Sequence, residues 1–226
     1  MTHFTPASFR FLRELAANNE RPWFEENRQR YIDDVRTPMQ EIIRALNPRL
    51  QAISEHYQTD DRLNGGSMFR IYRDVRFSRN KAPYKPWAGA RFWHTAGGRG
   101  HSPVFYLHVA PKNIFVGAGI WRPESKVLKR LRNFLHHNPN TWLQLMKDLE
   151  AAGEFRRGGD QLKRMPRGFD ADDPVADDLR YKDFVLSQEL TEADAKASDF
   201  VDRIAARYQA AAPFVDYLCA ALDLDF

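Results

Sequence analysis

The chain has 226 residues, 43% of them hydrophobic and 28% charged, with a net charge of +4; these proportions exclude a collagenous, low-complexity or wholly disordered polypeptide and leave ample chain for a sizeable core. No apolar run approaches the roughly 20 residues that span a bilayer, and Arg10, Arg13 and Glu14 interrupt the N-terminal apolar pattern, unlike a secretory leader. The lone Cys219 excludes an internal disulfide and a multi-cysteine zinc site, so a cytoplasmic protein is expected.

Thr5-Pro6 reads as a helix start, with Thr5 as cap, Pro6 in the first turn, and Phe4 and Phe9 spaced as a hydrophobic staple. The stripe Phe9, Leu12, Leu15, Ala16 ends at Asn18-Asn19. Pro22 restarts a helix through Phe24, Asn27, Tyr31 and Val35. Pro38 is expected to break or kink it before Met39, Ile42, Ile43, Leu46, Leu50 and Ile53 carry it on. Asn27 on that stripe is read as satisfying buried backbone. Asn64-Gly65-Gly66 marks a turn, after which MFRIYRDV alternates and predicts a strand over 68–75. A second strand is expected around Trp87–His94, then a flexible loop over Ala96–His101. The clearest strands are Pro103–Ala110 and Asn113–Trp121, joined by a tight Pro111-Lys112 hairpin. Helical period returns after Pro123 with Val127, Leu128, Leu131, Phe134 and Leu135, and again with Trp142, Leu145, Met146 and Leu149. Beyond a loop-rich stretch, Asp173-Pro174 opens a short helix and 185–190 reads as a strand. Thr191 to Asp194 resembles a capping box, and a last helix runs through Phe200, Ile204, Tyr208 and Pro213 to Leu222. No repeat or long linker divides the chain. The expected architecture is a single α+β domain, an antiparallel sheet flanked by helices: helical over 5–54, sheet core over 67–121, helices over 123–152, and helix–strand–helix over 174–222.

The run from Arg70 to Lys85, together with FLRELAANNERPWFEENRQRY, SPVFYLHVAP, FVGAGIWRP and LKRMPRGFDADDP, resembles the signature of the bacterial DUF2461 family. The resemblance covers most of the chain. It implies a single cytoplasmic domain and identifies no reaction, cofactor or partner.

Charge is distributed unevenly. Residues 67–94 carry a net of +6 and residues 95–169 a net of +8, while residues 170–226 carry −9. Either the acidic C-terminal region folds back and neutralises the basic middle, or the middle offers a concentrated basic surface to an anion. On an extended backbone Arg70, Tyr72, Asp74 and Arg76 share one face, where Arg70 and Asp74 have the spacing of a lateral ion pair, and Arg73 lies on the other.

In the hairpin, Phe105, Leu107, Val109, Ile114, Val116, Ala118 and Ile120 form an apolar face that must be core. The opposite face carries Tyr106, His108, Phe115, Gly117, Gly119 and Trp121. With a two-residue turn Tyr106 lies across from Gly117 and His108 across from Phe115. Glycine inside a strand is costly unless something approaches the backbone closely, either a packed helix or a ligand. The site expectation puts Arg70, Tyr72 and Asp74 beside Tyr106 and His108, over a floor of Gly117 and Gly119. Arg76, Arg79, Lys81, Tyr84 and Lys85 belong to a segment that closes over it. The expected ligand is a small phosphate- or nucleotide-like anion, gripped by guanidinium groups. His108, Asp74 and Tyr106 are the only candidates for catalysis, and whether the protein is an enzyme stays open. A nucleic-acid-binding module, with Phe69, Tyr72, Phe77, Tyr84, Trp87, Phe92 and Trp93 interleaved among cations, and a protein-interaction domain are the alternatives. His136-His137 cannot face one metal together on a helix, and Gly97-Gly98-Arg99-Gly100 lacks the Lys-Ser/Thr ending of a phosphate loop. No metal site and no membrane association are expected.

Overall fold

In a computed structural model, which describes residues 3–97, 101–153 and 155–226, the N-terminal third is helical. Helix α1 (Pro6–Ala17) starts at Thr5, whose side chain accepts from the Ala7 amide at 3.2 Å and forms a capping box with Ser8. Phe4 and Phe9 meet with ring centroids 6.3 Å apart, as the staple spacing requires. Helices α2 (Arg21–Glu26) and α3 (Arg28–Tyr31) are parted at Asn27, whose side-chain amide donates to the Trp23 carbonyl at 2.9 Å. A π-helical turn over Ile32–Arg36 follows, closed by the Thr37 amide donating to the Ile32 carbonyl, and it runs directly into α4 (Thr37–Ile53). Of the break or kink expected at Pro38, no break forms. Pro38 falls in the first turn of α4, where its missing N–H costs little, and the wide turn before it absorbs the interruption.

Strands β1 (Ala88–Trp93), β2 (Val104–Ala110), β3 (Asn113–Ile120), β4 (Arg156–Gly158) and β5 (Phe184–Leu190) form one antiparallel sheet in the order β1-β2-β3-β5-β4. Lys112, at φ 61°, supplies the left-handed residue of the two-residue β2–β3 turn. The register is the one the turn length dictates, with Tyr106 opposite Gly117 and His108 opposite Phe115. Strand β4 lies in the loop-rich stretch and was not anticipated. The Gly98–Gly100 part of the expected flexible loop lies outside the described residues.

The strand expected over 68–75 forms only in part. Residues 67–73 run antiparallel to residues 83–91 through isolated bridges, Met68 with Ala90 and Tyr72 with Tyr84. Amide bonds from Phe69 to Gly89, Arg91 to Ser67, Lys85 to Ile71 and Arg73 to Pro83 join the two segments. Pro83 and Pro86 remove two donors from the facing segment, so no continuous ladder closes there.

The apolar face of the hairpin is core: Phe105, Leu107 and Val109 are fully buried, and Ile114, Val116, Ala118 and Ile120 nearly so. Helix α9 (Phe200–Ala220) packs on β3 and against α4. Its Tyr208 and Val215 join one apolar cluster with α4, while its Phe214 and Leu218 join a second with Leu131 and Leu135 of α5 (Ser125–His137) and Trp142 of α6 (Pro139–Ala151). Each such fully buried side chain contributes about 1.5–3 kcal/mol of transfer free energy. The short helices α7 (Ala176–Leu179) and α8 (Glu192–Ala195) flank β5; α8 starts with the expected Thr191–Asp194 capping box. Among the described residues no helix is long and apolar enough to cross a membrane.

The acidic C-terminal region neutralises part of the basic middle: its carboxylates reach Arg130, His136, Arg156 and Arg157 within 95–169, and Arg13 and Arg49 in the N-terminal helices. Among the described residues Arg70, Arg73, Arg79, Lys81 and Lys85 of the segment 67–94 have no carboxylate partner.

Candidate functional site

The second face of the sheet is open. Its side chains form three rows across the strands, fixed by the register. One row is Gly89, His108, Phe115 and Glu189; the next is Arg91, Tyr106, Gly117, Ser187 and Arg156; the third is Trp93, Val104, Gly119, Val185 and Gly158. In the second and third rows β3 contributes no side chain, so the middle of the sheet is a trough between taller neighbours. The trough is a recess of about 600 Å³ whose walls include Phe69, Trp87, Tyr106, Phe115 and Trp121.

The two glycines have different local roles. A Cβ on Gly117 would meet the Leu186 carbonyl oxygen at 3.4 Å and Tyr106 Cβ at 3.6 Å, ordinary contacts, so the glycine leaves volume open and the backbone tolerates a side chain. Gly119 sits at φ +118°, and a Cβ there would fall 2.0 Å from the Phe184 carbonyl oxygen and 3.0 Å from Phe214 of α9. Here the close visitor is the neighbouring strand and a helix side chain, and only glycine adopts that backbone without strain.

Polar groups in the recess are few. The Tyr106 hydroxyl and His108 Nδ1 are 2.9 Å apart. His108 lies between Phe115, stacked at 4.9 Å and 16°, and Trp87 at 4.9 Å, and is only 9% exposed. Burial with no compensating charge pushes its pKa down to about 4, and burial pushes the Tyr106 hydroxyl up to about 12. Both are neutral over the whole physiological range, so Tyr106 donates to Nδ1 when the imidazole carries its proton on Nε2. Arg91 stands directly across from Tyr106 and lies over the rings of Phe69 and Trp93, at 5.5 and 5.3 Å. Ser102, Ser187 and Asn113 complete the polar lining.

The structure divides the residues that the sequence grouped. Tyr106, His108, Gly117 and Gly119 line the open recess. Arg70 and Tyr72 do not join them; they line a separate recess of about 210 Å³ with Tyr31, Arg28, Arg36 and Arg62, on the far side of Phe69, which borders both. Asp74 is not beside His108 and makes no lateral pair with Arg70. Its carboxylate is chelated by Arg76 at 2.7 Å on the exposed surface, and that bond holds its pKa down at about 2. A residue two positions along a bending loop reaches the carboxylate more directly than one four away on a strand.

The segment that was to close over the site instead projects as an arm over residues 73–82. It is stapled by Arg73 donating to the Ala82 carbonyl and Lys81 donating to the Val75 carbonyl, with Phe77 95% exposed. Arg79 is exposed on this arm. Tyr84 is core: it is 2% exposed and stacks on Phe24 at 4.1 Å. Lys85 donates to the Arg70 carbonyl and lies over the rings of Phe69 and Trp87; burial, then Arg70, lower its pKa.

Sequence reasoning missed Arg91, Ser187 and Val185, and had Trp87 only among the stacking aromatics of the nucleic-acid alternative. Extending the period-2 reading from the hairpin into β1 and β5 finds the right face of each strand, but their register is set by non-local pairing. It also missed Arg36, which owes its position to the π turn. Among the described residues no group of His, Cys, Asp or Glu side chains could hold a metal ion.

A family model described as a conserved hypothetical protein, DUF2461, matches residues 7–217. No curated protein and no solved structure matches the chain.

Proposed function

We propose that this chain, which belongs to the DUF2461 family, binds a small, flat organic anion on the open face of its sheet. The observation that carries this reading is the aromatic-walled recess of about 600 Å³ that Gly117 keeps open across the middle strand. Predominantly apolar recesses with a few fixed polar groups are the usual form of small-molecule sites. The aromatic walls favour a planar body, and the Tyr106–His108 pair offers a fixed hydrogen-bonding edge. Arg91 supplies the positive charge; a charge-assisted hydrogen bond to a carboxylate or phosphate oxygen contributes about 1.5–3 kcal/mol. Binding is favoured over proton-transfer catalysis because an effective general acid or base has a pKa near the working pH, which neither member of the pair has.

The test uses a matched pair of probes, naphthalene-2-carboxylate and its neutral carboxamide, with AMP as a nucleotide probe, titrated by tryptophan fluorescence. Gly117→Leu fills the trough from its floor and abolishes binding of the carboxylate. Arg91→Gln retains the carboxamide and loses about tenfold in preference for the carboxylate, the equivalent of about 1.4 kcal/mol. Equal affinities for the carboxylate in wild type and Gly117→Leu, or no binding of the carboxylate by the wild type, would overturn the reading.

A further inference from the structure

The smaller recess carries a second, independent conclusion. It lies between the π turn, the loop around Arg62 and the irregular segment 68–72. Four arginines line it. Arg28 is chelated by Glu25 and Arg62 by Asp60, so their charges are largely spent. The single carboxylate in the lining, Asp61, is held by Arg44 at 2.6 Å. Arg36 and Arg70 have no carboxylate partner and no hydrogen bond from their guanidiniums among the described residues, and Nε of Arg36 is buried without an acceptor. A buried donor left unmade costs about 1–3 kcal/mol, and more when charged.

The backbone that places Arg36 is unusual as well. The π turn adds one residue to the helical ladder, and Tyr31, Ile32 and Arg36 from this stretch all line the recess. Single π turns inside α-helices recur at functional sites. The Tyr31 hydroxyl, buried and pushed up to about pKa 12, keeps its proton and remains a donor. Gln40 and Asn64 add amide groups, and Tyr72 closes one side.

From this convergence we infer that the recess between Arg36 and Arg70 is a binding site for a phosphate group, free or as a monoester. A phosphate monoester carries close to two negative charges and three acceptor oxygens, which suits two guanidiniums lacking counter-charges and a tyrosine donor. A carboxylate has one charge and leaves part of the donor set unmet. The volume of about 210 Å³ accommodates a phosphate with a small substituent. The site does not depend on the open sheet face, and a failure of either leaves the other standing.

Titration calorimetry with inorganic phosphate tests it. The wild type binds one equivalent saturably. Arg36→Gln and Arg70→Gln each weaken binding at least tenfold, while Arg79→Gln on the arm and Gly117→Leu in the other recess leave it within twofold. Phenyl phosphate set against inorganic phosphate separates the two sources: tighter binding of the ester assigns a monoester, and tighter binding of the free ion assigns orthophosphate. Thermal melting without phosphate checks the fold. Arg36→Gln melts at or above the wild-type temperature because it relieves repulsion among guanidiniums, and Arg36→Lys, which keeps the charge and loses the fork, binds with intermediate affinity. Linear, unsaturable phosphate uptake, or unchanged affinity in Arg36→Gln, would overturn the assignment.

Discussion

The imidazole of His108 is held between two aromatic rings and accepts a proton only near pH 4, against an ordinary value of 6.5. Above pH 6.5 it is neutral in both folded and unfolded chains and contributes no pH dependence. Between pH 6.5 and 4 the unfolded chain takes up a proton that the folded one refuses, so stability falls as the solution is acidified. By pH 4.5 the loss from this group amounts to about 2–3 kcal/mol. Urea denaturation of His108→Gln at pH 7 and pH 4.5 is expected to show a smaller acid-induced drop than wild type by that amount. Equal drops would mean that His108 titrates normally. The sequence placed His108 correctly on its strand face, because the alternation of 105–120 and the two-residue turn are both local. Its neutrality was not legible, since Trp87 arrives from a different segment.

The sheet shows the same division between local and distant information. The hairpin register followed from turn length, whereas the partial pairing of 67–73 with 83–91, and the existence of β4, depend on which segments meet across the fold. The π turn at Ile32–Arg36 is likewise invisible to a period of 3.6, which is why Arg36 was never a candidate. Strand β3 offers a direct check at the level of the element. Gly117→Ala is expected to raise stability by about 0.5–1 kcal/mol, since its backbone accepts a side chain and glycine carries extra unfolded-state entropy. Gly119→Ala is expected to lower stability by more than about 1 kcal/mol, through its positive φ and the overlap with the Phe184 carbonyl. Chemical denaturation of the two variants decides the matter; changes of the same sign would show that the two positions are equivalent.

Taken as a whole, the molecule neutralises its basic middle only in part. The carboxylates of residues 170–226 engage Arg180 and Arg203 of their own region and, beyond it, Arg13, Arg49, Arg130, His136, Arg156 and Arg157, while Arg70, Arg79, Lys81 and Lys85 have no carboxylate partner among the described residues. The segment carrying the net of +6 therefore projects its field outward. Raising the salt from 0.1 to 1 M shortens the screening length from about 10 Å to about 3 Å. Phosphate affinity is expected to fall at least tenfold over that range, and affinity for the neutral naphthalene carboxamide to change less than twofold. A similar decline for both probes would show that the salt dependence does not come from screening of this field.

Trp87 and Trp121 both stand in the wall of the open recess, whereas Trp142 is wholly enclosed, its indole N–H donating to Asp178 at 2.8 Å. Three of the five tryptophans thus serve as built-in optical reporters in two unlike settings. An occupant of the trough displaces water from Trp87 and Trp121 and shifts their emission, while the Trp142 signal changes only when the helical core around it loosens. Spectra of variants with the two wall indoles replaced by phenylalanine, singly and together, subtracted from that of the wild type, would separate the occupancy signal from the emission of Trp142, Trp23 and Trp93 without any attached dye.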